Sequence, residues 1–145
     1  LTKKINEREN NMEKILRIVD YEEVGEYSSV TGFEVVTDKQ SIKLFIDNTN
    51  LCCEVWGWFW CNDDPQQFVG AEVRGVKITN TALNEAEMKK NELDPKEQYF
   101  NGGVMFVNID TDKGVLQFVA YNNHNGYYGH EAKVESSQLT HAETL

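Results

Sequence analysis

LCCEVWGWFWC, Leu51–Cys61, holds all three tryptophans and all three cysteines of the chain. Read as a strand, its side chains alternate. Glu54, Trp56, Trp58 and Trp60 fall on one face; Cys53, Val55, Gly57, Phe59 and Cys61 fall on the other. A strand with large apolar groups on both faces is expected at the centre of a sheet or along a groove. The plainest reading packs the tryptophans under a helix in the core. The sharper one leaves them exposed to stack on bases, sugars or a partner's side chains. Glu54 is the odd member of that face and is expected at the strand end in water or beside a donor.

Outward from this stretch, the flanking segments read as strands and turns. On the N-terminal side, Gly32–Thr37 and Ser41–Asp47 form a hairpin pattern across Asp38-Lys39-Gln40, with Ile42, Leu44 and Ile46 on one face. Before them, Glu13–Tyr21 reads as a first strand, with a short helix as the competing reading. Glu22–Thr31 is acidic and turn-rich. Leu1–Asn11 is a polar lead-in, or lies upstream of a start at Met12.

On the C-terminal side, Asp64-Pro65 with Gln67 has the pattern of a capping box opening a short helix that Gly70 ends. Ala71–Ala82 reads as a strand with a bulge at Gly75. Asn84 is placed to cap a second short helix, with Glu87 in its first turn and Lys89 and Lys90 in its last. The charged stretch Asn84–Gln98 reads as an exposed insertion. Val104–Ile109 and Val115–Tyr121 flank Asp110–Gly114 as a hairpin, with glycine where positive φ is needed. Tyr127–Val134 returns as a strand, and Glu135–Leu145 reads as a frayed polar tail. The expected fold is α+β: a mainly antiparallel, twisted sheet of six to eight strands with one or two short helices. It forms a single domain over residues 13–134, between a lead-in (1–12) and a tail (135–145).

The totals narrow the function. A chain of 145 residues makes one domain that can bury a core without disulfides or metal. Three cysteines, two of them adjacent, point to reduced thiols behaving as small buried hydrophobes in a cytosolic protein. A net charge of −10 argues against a nucleic-acid binder, which needs a basic face. It suits plain solubility, or a surface that meets a basic partner. No apolar run reaches the roughly 18 residues of a membrane span.

Chemistry-bearing constellations are few. His124, His130 and Glu131 invite a metal reading, but His130 and Glu131 are neighbours and on a strand would face opposite ways. The cysteines lack paired zinc spacing. Asp110–Gly114 resembles the start of a calcium loop, yet the twelfth position is Tyr121 rather than glutamate. There is no nucleophile elbow, phosphate loop or metalloprotease helix. The expectation is a non-enzymatic protein without metal or cofactor.

Two segments carry a resemblance. Cys52-Cys53-Glu54 precedes the aromatic strand, and the closing hairpin runs into Asn125-Gly126-Tyr127-Tyr128-Gly129-His130-Glu131. Over Gly32–Val134 the chain resembles a family of small domains of unknown function found mainly in phages and prophages. Its members carry a Cys-Cys-Glu step and an Asn-Gly-Tyr-Tyr-Ser-Glu-like ending. Here Gly129-His130 stands where that pattern has one serine. The resemblance implies a small accessory protein acting in the cytoplasm of a bacterial host. From it follows the expectation of an acidic protein that blocks a host protein, in concrete form a defence nuclease of the CRISPR kind, by occupying its nucleic-acid-binding surface. It would touch neither nucleic acid nor membrane itself. A second expectation is a small-ligand binder or sequestering protein with a pocket built from Glu54, Trp56, Trp58, Trp60, Tyr127, Tyr128, His130 and Glu131. A third is a structural or assembly component.

Overall fold

The computed structural model describes residues 12–49, 54–93, 103–124 and 129–145. Among these, nine strands form two antiparallel sheets. The first sheet has the order β1 (Ile15–Val24), β2 (Ser29–Thr37), β3 (Ser41–Asp47), β8 (Glu131–Glu135), β9 (Thr140–Thr144). The second has the order β4 (Glu54–Trp60), β7 (Gly114–His124), β6 (Gly103–Thr111), β5 (Val73–Thr79). The helical elements are a 3-10 turn at Pro65–Phe68 and one short α-helix, α1 (Glu85–Lys90). Strands carry the architecture, so the fold is mainly β rather than α+β. No helix among the described residues is long and apolar enough to cross a membrane.

The alternation of each strand decides what it buries. Ile18, Val35, Ile42, Leu44, Ile46, Ala132 and Val134 of the first sheet meet Trp60, Met105, Val107, Ile109, Leu116, Phe118 and Ala120 of the second. The two sheets therefore pack face to face on a shared core. The second sheet also buries its outer face. There Phe59, Cys61, Phe106 and Val119 pack with Met88 of α1 and with Leu93 beyond it. Both faces of β4 are thus covered towards its C-terminal end, while Val55 near its start is 62% exposed. Yet β4 is an edge strand of its sheet, paired only with β7 among the described residues, and not a central one. Its double burial comes from stacked layers, which alternation cannot tell apart from lateral neighbours.

Local chemistry explains most of the connections. Asn84 caps α1 through its side-chain oxygen, which accepts from the amides of Ala86 and Glu87. Lys90 reaches back to Glu87 at 3.0 Å. The 3-10 turn has Pro65 in its first turn, but Asp64 makes no capping bond, so the expected capping box is absent. The β5–β6 ladder shifts register between Val73 and Gly75, the expected bulge. The β6–β7 turn closes on Thr111 paired with Gly114, whose φ is +120°.

Two expectations are corrected by long-range contacts. The start of the stretch read as an exposed insertion, Asn84–Leu93, covers the second sheet, because Met88 and Leu93 are buried there. Residues beyond 93 in that stretch lie outside the described residues. The stretch read as a frayed tail contains β9, which pairs with β8. Leu145 and His130 then exchange backbone hydrogen bonds at 3.0 and 2.8 Å. The buried Asn122 side chain of β7 donates to the Leu145 carbonyl at 3.0 Å, so this end ties the two sheets together. At another corner, the amide of Ile15 donates to Ala71 and that of Val73 to Glu13, joining the start of β1 to the entry of β5. The buried Glu13 carboxylate there accepts from Thr37, Gln40 and Gln138.

Candidate docking surface

The first sheet has an outer face that no element covers among the described residues, and its β1–β2 hairpin is the most exposed part of it. The strands close on the pair Val24–Ser29, and the Gly25 amide donates to the Ser28 carbonyl at 2.7 Å. Every residue from Glu22 to Ser28 is exposed, so both faces of the hairpin end stand in water. Two of those residues are large and apolar: Tyr27 is 86% exposed and Val24 is 71% exposed. Glu22 and Glu23 precede Val24 in the chain, and Glu26 precedes Tyr27. An aromatic ring and a branched aliphatic side chain within an acidic tip make an apolar anchor with a charged rim.

Behind the tip lies an ordered patch. Tyr21 of β1 pairs with Gly32 of β2, which in turn pairs with Phe45 of β3. Gly32 has no side chain to separate them, so the Tyr21 and Phe45 rings approach to 5.7 Å across it. A Cβ on Gly32 would overlap the Leu44 carbonyl, so only glycine lets β2 and β3 come this close. The Tyr21 hydroxyl donates to Oε2 of Glu23 at 2.6 Å, and Lys43 Nζ lies 5.3 Å from the centre of its ring. That hydrogen bond, with burial and the charges of Glu23, Glu135 and Glu34 behind it, pushes the Tyr21 phenol up to about 12. Tyr21, Glu23, Ser28, Lys43, Phe45 and Glu135 line a depression of about 230 Å³ here. Lys133 pairs with Glu135 at 3.0 Å. The patch is a mixed-charge floor behind an acidic, aromatic tip.

The sequence-predicted site residues lie elsewhere. Trp60 is 8% exposed and packs between Phe33 at 4.8 Å and Phe118 at 6.0 Å, inside the shared core. Trp56 and Trp58 are half-buried, 6.0 Å apart, and face the first sheet, not a helix. The residues of this stretch under the helix layer are Phe59 and, just past the strand, Cys61. The buried His130 stacks on Trp56 at 4.9 Å. Its Nδ1 lies 2.7 Å from the Asp47 carbonyl, which can only accept, so Nδ1 carries the proton. The structure thus brings together Trp56, Trp58 and His130 at the seam between the sheets, where they pack on one another. Glu131 starts β8 exposed, turned away from His130. Glu54 opens β4 opposite His124. Tyr127 and Tyr128 lie outside the described residues, as do Cys52 and Cys53.

Cys61 is a free thiol, buried under the helix layer. Its Sγ contacts both the amide and the carbonyl of Asn84 at 3.3 Å, and burial pushes the thiol up, away from reactive thiolate. Tyr27 and Val24 were hidden in a segment that reads only as acidic and turn-rich. The available signal was two large apolar residues inside a charged turn, where no core pattern needs them.

A family model, a domain of unknown function designated DUF7448, matches residues 2–134, and the chain belongs to that family. No curated protein and no solved structure matches the chain.

Proposed function

We propose that the chain is a non-enzymatic acidic binding protein that docks on a basic protein surface through the tip of its β1–β2 hairpin. The observation that carries this reading is the pair Val24 and Tyr27, both strongly exposed beside Glu22, Glu23 and Glu26. Exposed aromatic anchors supply affinity when a partner's pocket desolvates them, and surrounding charge steers the encounter. The net charge of −10 extends that steering over the whole molecule. The most concrete form of the reading is a phage or mobile-element inhibitor that sits in the nucleic-acid channel of a host defence nuclease. The resemblance of the sequence supports that form, and an acidic tip has the charge such a channel selects.

The test is affinity capture from a bacterial lysate at low and at high salt, with three baits: the wild-type chain, Tyr27→Ser, and the triple variant Glu22→Gln/Glu23→Gln/Glu26→Gln. A nuclease captured by the wild type at low salt, released at high salt and lost with either variant supports the reading. Charge contacts on the surface are screened over about 8 Å at physiological salt, so the release should be steep. Capture that survives both high salt and Tyr27→Ser, or no capture at all, overturns it.

A further inference from the structure

A cavity on a different part of the molecule lies at the end of the second sheet beside α1. It measures about 780 Å³, within the roughly 300–1,000 Å³ range of small-molecule sites. Its apolar lining is Ile78, Ala82, Met88, Val104 and Phe106. Four of these belong to the outer-face cluster around α1 or pack against it directly: Met88, Phe106, Ala82 and Val104. The polar side chains are Thr79, Asn80 and Thr81, together with two carboxylates, Glu85 and Glu143. No basic side chain lines it among the described residues.

The scaffold around this cavity is held firmly. The buried Gln117 side chain donates to the Thr81 carbonyl at 3.0 Å and accepts from the Leu83 amide at 2.8 Å, which fixes the chain entering α1. The Asn84 cap then sets the first turn, where Glu85 stands. Glu143 comes from β9 of the other sheet, its carboxylate 3.4 Å from Nε2 of His141. Two glutamates from separate elements therefore line a partly apolar cavity with no Lys or Arg among the described residues lining it.

We propose that this cavity binds a small organic cation with an apolar body, an amine or quaternary ammonium carried on a ring or short alkyl chain. The apolar body replaces water against Met88, Val104 and Phe106, while the cation stands at the carboxylates of Glu85 and Glu143. This site is independent of the hairpin tip, so either proposal can fail without the other.

The test uses three matched probes, phenylbutylamine, phenylbutanol and phenylbutyrate, titrated into isotope-labelled protein and followed by backbone amide shifts. Phenylbutylamine is expected to shift amides of Ile78–Ala82 and Val104–Phe106, and to bind about fivefold more tightly than the alcohol, as an exposed charge pair allows. Glu85→Gln/Glu143→Gln should remove that preference and retain the wild-type spectrum elsewhere. Glu22→Gln/Glu23→Gln, on the hairpin, should leave it unchanged. Shifts scattered over acidic surfaces, equal binding of amine and alcohol by the wild type, an equal effect of both double variants, or no binding by any probe would each overturn the proposal.

Discussion

The two sheets face the same core but meet the solvent differently. The four-stranded sheet is buried on both sides, by the five-stranded sheet on one and by α1 with Leu93 on the other. The five-stranded sheet is buried on one side only, and its outer face carries Tyr21, Glu34, Lys43, Phe45, Lys133 and Glu135. The first arrangement leaves free surface mainly at the cavity beside α1. The second leaves a flat polar face and an extended hairpin, which cost the core little to vary. Core burial is therefore two-sided in one sheet and one-sided in the other, and the proposed partner contact falls on the one-sided sheet.

That division can be broken most sharply at Phe118, fully buried between the sheets. Phe118→Ala should destabilise the fold by about 3–5 kcal/mol, measured by urea unfolding. Met88→Ala, on the other covered face, should cost about 2–3 kcal/mol. If Met88→Ala were near neutral, α1 would be an ornament on the sheet and not a layer. The open sheet has one intolerant point. Gly32→Ala should cost about 3 kcal/mol, the upper end for overpacking, because the new methyl meets the β3 backbone and not a movable side chain. Retention of full stability there would show that β2 and β3 can part without loss.

The smallest effect sharpens the comparison at the patch behind the hairpin. Tyr21 is raised to about 12 in the folded protein, against an ordinary phenol near 10. Its hydrogen bond to Glu23 therefore contributes fully below pH 10 and is lost as pH rises through 12. Phenolate absorbance of the wild type minus that of Tyr21→Phe should show a single late titration near pH 12. A difference curve centred at pH 10 would mean that the Tyr21–Glu23 bond does not persist in solution.

Much of this was legible in the residues. The face assignment of Trp56, Trp58 and Trp60 against Phe59 and Cys61 follows from strand alternation alone and matches the two clusters. The β6–β7 hairpin, the Gly75 bulge and the Asn84 cap were also readable, since each depends on contacts within a few residues. The candidate site was not. Tyr27 and Val24 sit in a stretch whose composition says only turn, and the tryptophans that drew attention as binding groups turned to the other sheet.

The sequence by itself determined which side chains share a face, where strands turn and that the molecule is strongly acidic. Tertiary structure alone decided which layer covers each face. It placed β4 at an edge, turned Asn84–Leu93 into a cover, made residues 140–144 a strand and left the β1–β2 tip uncovered. The physical reason is range. Alternation and capping are set by dihedral angles and neighbours along the chain, whereas burial depends on surfaces brought together from distant parts of it.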